Sequence, residues 1–260
     1  MNPEEKINKF AEYIKQSNNI VFIGGAGVST ESGIPDFRSS SGLYNNKDEE
    51  YDAPPEVMLS KTYFYNNTEK FYKFHKSKIL HLDAKPNDAH IVLAKLEEKG
   101  KLKAVVTQNI DNLHQQAGSK TVIELHGTVK NNFCIKCHKN FNVDYIVQSE
   151  GVPYCDNCGG LIKPDVVLFE ERLKNYDFMD DAINYILNAD MLIVGGTSFA
   201  VMTAISCVGC FFHENETKNK KSAIINKTKT EYDKMFDISI GEGIGKVLRE
   251  VYHKLYGELD

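Results

Sequence analysis

The sequence predicts an α/β protein whose main body is a doubly wound, mostly parallel sheet with a smaller lobe attached to it. Three observations predict this fold. Short, wholly apolar, β-branched runs recur along the chain, as in strands that are buried on both faces. Helical patterns separate several of these runs, which is the arrangement of βαβ units. Two stretches, residues 39–85 and 130–162, break the alternation and would form the smaller lobe.

The individual elements follow in chain order. An opening helix is predicted after its cap Asn2, because apolar residues recur there at helical spacing. Further helices are predicted over residues 87–99, 177–187 and 244–255. Five apolar runs predict the strands of a Rossmann-like sheet, and they lie at residues 20–23, 104–107, 121–123, 191–194 and 223–225.

We therefore expect a chain of two lobes, with the smaller lobe built from two excursions of the larger one. The large lobe would comprise residues 1–38, 86–129 and 163–260. Residues 39–85 would form a helical module of the small lobe. Residues 130–162, which contain two pairs of cysteines, would form its second module.

The composition indicates a globular protein. The 260 residues suffice for a sizeable core, and 42% of them are hydrophobic. The formal net charge of −5 argues against a nucleic-acid partner, because phosphate binding needs a basic face. The N-terminus has no basic run followed by an apolar core, and no apolar run reaches about 18 residues. We expect a cytoplasmic monomer with no membrane partner.

A glycine turn follows the first predicted strand. Gly25, Ala26 and Gly27 would let main-chain N–H groups approach an anion, and a helix start after them would add a positive dipole. The turn differs from the dinucleotide fingerprint of dehydrogenases, because Thr30 stands where a third glycine is needed. A glycine turn without any ligand is the alternative interpretation.

Polar residues follow two more predicted strands. Residues 108–111, with the sequence Gln-Asn-Ile-Asp, come after the strand at 104–107, where ligands bind in open α/β sheets. His126 follows the apolar run at 122–125, and a histidine can accept a proton at neutral pH. A surface turn for the first group and a structural role for the histidine are the alternatives.

Four cysteines form two Cys-x-x-Cys pairs with 17 residues between them. Such pairs of thiolates can bind one tetrahedral zinc ion in a closed, structural site. A redox dithiol would need only one pair, and the acidic composition disfavours a zinc ribbon that binds nucleic acid. Cys207 and Cys210 form a third pair, which we expect to pack as small hydrophobic residues. We expect one structural Zn²⁺, with the ligands Cys134, Cys137, Cys155 and Cys158.

The stretch from residue 25 to residue 38 resembles the signature of the sirtuin family, which reads Gly-Ala-Gly-Ile/Val-Ser and then Ser-Gly-Ile-Pro-Asp-Phe-Arg. Gln-Asn-Ile-Asp, Glu-Leu-His-Gly, Gly-Thr-Ser and an Asn after a strand match the family further along. The resemblance covers residues 4–255 and implies NAD as the co-substrate. The cofactor-binding residues that it implies are Gly25, Ala26, Gly27, Thr30, Asp36, Phe37, Arg38, Gln108, Asn109, Ile110, Asp111, His126, Gly196, Thr197, Ser198, Asn226, Lys227 and Ile244.

The resemblance also implies catalytic roles. Asn109 would position a ribose hydroxyl or water, Asp111 would hold the nicotinamide amide, and His126 would act as general base on a ribose hydroxyl. Phe37 would cover the reacting ribose carbon, and Arg38 would lie near the phosphates or the ribose.

Residues 163–171 resemble the family segment that pairs with the substrate peptide as a β-strand. The sequence departs from that segment twice, with Lys163 in place of arginine and Glu170 in place of glycine. The additional carboxylate would favour basic peptides, whereas a plain edge strand is the alternative interpretation. The substrate contacts that the resemblance implies are Val167, Leu168, Phe169 and Glu170.

Family members that favour succinyl or malonyl groups have a tyrosine and an arginine three residues apart in the helical insertion. Tyr72 and His75 occupy the corresponding positions here, and a neutral imidazole binds a carboxylate less well than a guanidinium does. Uncharged acyl groups are therefore the expected substrates. Residues 199–204 depart again, because they lack the family's valine-proline-alanine pattern. His90 and His114 lie in family-like contexts and are expected to be structural.

The reaction implied by the resemblance is removal of an acyl group from lysine side chains of acylated proteins or peptides. The acyl oxygen would attack the nicotinamide ribose, and the products would be free lysine, nicotinamide and O-acyl-ADP-ribose. ADP-ribose transfer to a protein, or hydrolysis of NAD, would use the same cofactor residues and is the first alternative. A zinc-ribbon binding protein without catalysis is the alternative from another class.

Overall fold

The computed structural model describes residues 1–40, 42–45, 51, 53–173, 176–218 and 220–259. Among these residues, nine strands form two sheets, and their bounds are β1 Ile20–Gly24, β2 Leu102–Thr107, β3 Val122–Glu124, β4 Gly127–Cys134, β5 Asn140–Asn142, β6 Ile162–Val166, β7 Met191–Gly195, β8 Lys221–Ile225 and β9 Ile238–Ile240. The α-helices of the described residues are α1 Pro3–Gln16, α2 Pro55–Met58, α3 Lys61–Asn66, α4 Thr68–Phe74, α5 Asp88–Glu98, α6 Leu113–Gln116, α7 Val143–Gln148, α8 Tyr176–Asn188, α9 Met202–Lys218 and α10 Ile244–Tyr256.

The large sheet contains six parallel strands in the order β3-β2-β1-β7-β8-β9. The strand order reverses direction between β1 and β7, which is the position where nucleotides bind in doubly wound sheets. The predicted fold class is therefore confirmed. Strand β9 does not appear among the predicted strands, because its three residues carry a serine between two isoleucines and give no continuous apolar run.

Helices cover both faces of the large sheet. Side chains alternate between faces along a strand, so Phe22 packs with α1, α5 and α10 while Ile23 packs with α8 and α9. Helix α1 begins with a reciprocal cap, in which Asn2 and Glu5 exchange side-chain and main-chain hydrogen bonds. Each fully buried phenylalanine or isoleucine contributes about 1.5–3 kcal/mol to folding. These two apolar layers fix the strand ends that carry the site.

The small lobe has an antiparallel sheet in the order β5-β4-β6, and helices α2, α3, α4 and α7 pack with it. Its core joins Phe64 and Phe71 of the helical insertion to Ile146 and Ile162 of the cysteine module. The predicted lobe boundaries at residues 129 and 163 fall inside β4 and β6, so both strands extend across them. The division into lobes by residue number stays a prediction.

The chain passes from the large sheet to the small sheet at Gly127. This glycine has a left-handed φ of 77°, and a Cβ atom there would lie 2.0 Å from the carbonyl oxygen of Asp165. Only glycine fits such a close approach of two main chains.

Within the described residues, no helix combines the length and the apolar character that crossing a bilayer requires.

Candidate active site

A cavity of about 1300 Å³ opens at the carboxyl ends of β1, β2, β7 and β8 and extends to the small lobe. Nearly every residue predicted to bind cofactor or substrate lines it, and Gly25 is the exception. Leu59, His75, Val129 and Val166 contribute apolar and neutral surface from the small lobe. The sequence-predicted residues that line this cavity are Ala26, Gly27, Thr30, Asp36, Phe37, Arg38, Gln108, Asn109, Ile110, Asp111, His126, Val167, Leu168, Phe169, Glu170, Gly196, Thr197, Ser198, Asn226, Lys227 and Ile244.

The glycines after β1 allow two loops to touch. The N–H groups of Gly25 and Gly27 donate to the carbonyl oxygens of Gly195 and Gly196, at 3.1 and 2.8 Å. A Cβ atom on Gly27 would lie 2.7 Å from the Cα atom of Gly196, and one on Gly196 would lie 2.4 Å from the Val28 nitrogen. Loop packing therefore explains these glycines, and direct contact of Gly25 or Gly27 with a cofactor stays a prediction.

Asn109 and Asp111 meet on the hydroxyl of Ser29. The Asn109 side-chain amide donates to Ser29 Oγ at 2.9 Å, and Ser29 Oγ donates to Asp111 Oδ2 at 2.6 Å. The other carboxylate oxygen of Asp111 accepts from the N–H of Leu113 at 2.9 Å. Ser29 is almost fully buried and was not among the predicted site residues. The available signal was its position two residues after Gly27 in the same loop.

His126 projects into the cavity directly before the crossing at Gly127. Its Nδ1 lies 3.0 Å from the carbonyl oxygen of Gln108, which can only accept, so Nδ1 carries the proton and Nε2 the lone pair. Burial lowers the pKa of His126 below its ordinary value, and the hydrogen bond to Gln108 partly offsets this effect. The neutral ring therefore presents a free base to the cavity at pH 7.

Thr197 and Asn226 connect the loops after β7 and β8. The side-chain oxygen of Asn226 accepts from the Thr197 N–H at 3.1 Å, and its amide donates to the Thr197 carbonyl at 2.9 Å. Ile244 packs so closely on Gly195 that a Cβ atom there would lie 1.9 Å from Ile244 Cδ1. These contacts hold Ser198 and Lys227, whose side chains are exposed, at the rim of the cavity.

The segment after the glycine turn forms a polar turn with aromatic packing. Asp36 Oδ1 accepts hydrogen bonds from the N–H groups of Arg38 and Ser39, at 3.0 and 2.8 Å. The Phe37 ring lies 5.4 Å from that of Tyr44, and the Arg38 guanidinium lies 5.2 Å from the same Tyr44 ring. Burial raises the pKa of Tyr44 to about 12, so its hydroxyl is neutral. Tyr44 lines the cavity and was not predicted.

The predicted substrate segment is attached to both lobes. The Val167 N–H donates to the His126 carbonyl at 2.9 Å. Phe169 pairs through both main-chain groups with Leu59 and Lys61 of the helical insertion, at 3.0 and 2.9 Å. The Phe169 side chain is exposed. The contacts of residues 167–170 with a substrate peptide stay a prediction.

Glu170 has a left-handed φ of 72°, a conformation that its family's glycine adopts without strain. Its carboxylate accepts from the N–H and the hydroxyl of Thr62, at 3.0 and 2.6 Å. These hydrogen bonds lower its pKa. Glu170 therefore caps the start of α3, while its effect on basic peptides stays a prediction.

Lys163, which replaces the family's arginine, is buried beneath the same segment. Its Nζ lies 3.0 Å from Glu171 Oε2 and donates to the Val166 carbonyl at 2.9 Å. Glu171 Oε2 also accepts from the Leu168 N–H at 3.0 Å. The buried ammonium group of Lys163 and its partner Glu171 thus connect β6 to the segment at residues 168–171.

Tyr72 and His75 differ in their access to the cavity. The Tyr72 hydroxyl donates to the Ile162 carbonyl at 2.5 Å, and the side chain is fully buried in the small lobe. His75 lines the cavity and stacks on Phe71 with ring centroids 5.5 Å apart. Burial, and to a smaller degree the charges of Lys76 and Lys163, lower the pKa of His75 to about 4. His75 therefore offers no positive charge to an acyl carboxylate at neutral pH.

The four paired cysteines form one cluster, in which all Sγ atoms lie within 4.8 Å of one another. A tetrahedral ion with bonds of about 2.3 Å places thiolate sulfurs about 3.8 Å apart, so the cluster fits one structural zinc ion. Cys134 and Cys155 are buried, and the cysteines are not joined by disulfides. A Cβ atom on Gly160 would lie 2.9 Å from Cys134 Sγ, which explains the glycine there.

The third cysteine pair is separate from this cluster. Cys207 is fully buried in the core beside α8, and Cys210 is partly buried one turn further along α9. Burial raises the pKa of Cys207 to about 12. Such a thiol packs as a small hydrophobic residue, in agreement with the sequence-based expectation.

Parallel sheets of this strand order bind nucleotides outside the carboxyl ends of their strands, so fold and cavity define a Rossmann-like nucleotide-binding protein. The model of the Sir2 family matches residues 25–203. An NAD-dependent protein deacetylase from Clostridium perfringens is 52% identical over 248 residues, which cover 95% of this chain and 99% of that protein. One from Thermotoga maritima is 44% identical over 203 residues, which cover 76% of this chain and 79% of that protein. The chain belongs to the Sir2 family, which confirms the resemblance found in the sequence.

Solved structures of Sir2 proteins share the whole fold. One with a p53 peptide and NAD+ has a TM-score of 0.83 at 38% identity and covers 95% of this chain and 98% of its own. Another, bound to a propionylated peptide, has a TM-score of 0.83 at 38% identity and covers 96% and 98%.

Proposed function

We propose that this protein is an NAD-dependent protein-lysine deacetylase. The observation that carries the proposal is the position of His126, whose unprotonated Nε2 faces the same cavity as the glycine turn, Asn109 and Asp111. The family relatives described above are deacetylases by name and support it. Bound NAD would supply the ribose carbon from which nicotinamide leaves as the acyl oxygen attaches.

The residues of this chain divide the remaining work. His126 accepts a proton at Nε2 from a ribose hydroxyl, because its other nitrogen is held by the Gln108 carbonyl. Asn109 and Asp111, fixed by Ser29, present an amide and a carboxylate to the nicotinamide end of the cofactor. Phe37 supplies an aromatic face that excludes water from a cationic centre. The zinc ion would hold the small lobe and take no part in the reaction, since four thiolates leave it no open position.

The substrate we propose is an acylated lysine on a protein or peptide, and solved Sir2 structures contain acetylated and propionylated peptides. Leu59, Val129 and Val166 give the small-lobe side of the cavity an apolar wall. Together with the neutral His75, this wall favours uncharged acyl groups over succinyl or malonyl groups. We further propose a monomeric enzyme of the cytoplasm, where cysteines remain available as thiolate ligands.

The direct test is incubation of the zinc-loaded protein with an acetyl-lysine peptide, with and without NAD, and analysis of the products by mass. We expect free lysine peptide, nicotinamide and O-acetyl-ADP-ribose only when NAD is present. His126→Ala should abolish the reaction while it leaves NAD binding measurable by calorimetry. Equal loss of acetyl groups without NAD would refute the assignment.

ADP-ribose transfer and NAD hydrolysis would use the same cofactor residues and remain the alternatives. The same mass analysis distinguishes them. A peptide that gains ADP-ribose identifies the first, and free ADP-ribose without deacetylated peptide identifies the second.

A further inference from the structure

Thr203 lies in the stretch of residues 199–204, where the sequence departs from the pattern of its family. It is the second residue of α9 and lines the cavity opposite His126. Phe199, at the start of the stretch, has a left-handed φ of 58° and packs on Tyr232 with ring centroids 4.7 Å apart. Because the Phe199 side chain is buried in the core, the loop that delivers Thr203 to the cavity is held in place.

The Thr203 hydroxyl lies 3.4 Å from His126 Nε2 and 3.4 Å from the side-chain nitrogen of Gln108. The directions of these two hydrogen bonds follow from the chemistry of the groups. The side-chain NH2 group of Gln108 can only donate, so Thr203 Oγ1 accepts from it. The Thr203 hydroxyl proton is then free to be donated to Nε2, which carries the lone pair because Nδ1 is the protonated nitrogen.

Gln108 connects these hydrogen bonds into a closed network. Its side-chain oxygen accepts from the Thr197 hydroxyl at 3.3 Å, its side-chain nitrogen donates to Thr203, and its carbonyl accepts from His126 Nδ1. Both nitrogens of the imidazole are thus connected to the same residue, once directly and once through Thr203.

We propose that Thr203 is a positioning residue for His126, donating a hydrogen bond to Nε2 that keeps the ring oriented towards the cavity before substrate binds. The role of His126 as a base rests on the proposed function, whereas the hydrogen bond does not. When Nε2 takes up the proton of a ribose hydroxyl, it loses the lone pair that accepts from Thr203, so this donated hydrogen bond belongs to the neutral ring.

A hydrogen bond donated to the Nε2 lone pair favours the neutral form of the His126 imidazole. The side-chain NH2 group of Gln108 strengthens this preference, because it occupies one lone pair of Thr203 Oγ1. Of the charged side chains on neighbouring elements, Asp111 after β2, Lys130 of β4 and Glu171 after β6 line the same cavity, and Glu124 of β3 precedes His126 by two residues. None of them is a cause of the lowered pKa of His126, which comes from burial first. Burial raises the pKa of Glu124 to about 7, so an activity profile alone would mix its titration with that of His126.

The test therefore follows the ring itself, by NMR titration of histidine-labelled protein without NAD, with the His126 signal assigned from His126→Ala. We expect Thr203→Val to raise the pKa of His126 by about 0.3–1 pH unit, the effect of one ordinary hydrogen bond. Thr203→Ser should restore the wild-type value. The matched control is Thr68→Val, remote in α4, whose hydroxyl bonds to the Phe64 carbonyl; it should leave the titration unchanged.

Kinetics supply the second measurement. The acid limb of the pH profile of kcat should move to higher pH in Thr203→Val, in parallel with the NMR value, and return in Thr203→Ser. If Thr203→Val does not fold, Thr203→Ala removes the same hydroxyl with less steric demand. An unchanged or lowered pKa in the folded valine or alanine variant would overturn the proposal. Absence of NAD-dependent deacetylation in the wild type would instead reject the proposed function, since the titration needs no turnover.

Discussion

Ser29 determines the geometry between Asn109 and Asp111, because its hydroxyl accepts from one and donates to the other. Ser29 lies in the glycine loop after β1 and contacts the polar motif after β2. Asn109 and Asp111 follow it by 80 and 82 residues in the chain. The polar motif itself could be predicted, since such side chains gather at the carboxyl ends of strands. The contacts of Ser29 and Thr203 could not, because they depend on how separate loops meet in space.

We expect Ser29→Ala to reduce kcat/KM about 10- to 100-fold, because it removes two hydrogen bonds of about 1 kcal/mol each that align catalytic side chains. The measurement is steady-state deacetylation, together with thermal unfolding to verify that the fold is intact. Ser119→Ala is the matched control, since Ser119 is a buried serine whose hydroxyl has no hydrogen-bond partner within the described residues. Full activity of Ser29→Ala would contradict the role assigned to Ser29.

The strands of the two sheets differ in how clearly their sequences indicate them. β1 and β7 are wholly buried, so their continuous apolar runs identified them. β4 has the sequence Gly-Thr-Val-Lys-Asn-Asn-Phe-Cys, in which no regular alternation appears. Its partner β6 is distant in sequence and contains a proline, so their pairing could not be predicted from either segment.

The small sheet depends on the cysteine cluster, because Cys134 ends β4 and the connections from β4 to β5 and from β5 to β6 contain the other three thiols. We expect removal of zinc by a chelator, or the substitution Cys134→Ser, to disorder this sheet and abolish deacetylation, while the large parallel sheet persists. Metal content, circular dichroism and activity measured on the same samples test this expectation. Cys210→Ser should retain one zinc ion per chain and full activity, because Cys210 lies outside the cluster. Retained activity in a metal-free protein would reject a structural role for zinc.

Three buried histidines, His75, His90 and His114, link the stability of the folded protein to pH. Burial lowers the pKa values of His75 and His90 to about 4 and that of His114 well below its ordinary value. The rings of His90 and His114 lie 4.7 Å apart behind the site, which agrees with the structural role expected for both. Protonation is thus easier in the unfolded chain than in the folded one.

The stability that these neutral histidines contribute should therefore be complete above pH 6.5 and decline as the pH falls from 6.5 towards 4, by on the order of 3 kcal/mol for His75. Urea unfolding of zinc-loaded protein at several pH values measures this. In His75→Gln the decline should be smaller, so that the difference in unfolding free energy from the wild type shrinks at low pH. His213→Gln, which alters an exposed histidine, should keep a constant difference. Parallel curves for His75→Gln and the wild type would contradict this linkage.

The two lobes meet at Gly127, and the residue directly before it carries the proposed base. The imidazole is held on the large-lobe side by its hydrogen bond to the Gln108 carbonyl, and the main chain of His126 itself accepts from the Val167 N–H. The orientation of the proton acceptor therefore depends on the path of the main chain at this crossing. A methyl group at residue 127 would collide with the Asp165 carbonyl and displace the peptide that carries the imidazole, so the chemistry of residue 126 depends on the absence of a side chain at its neighbour.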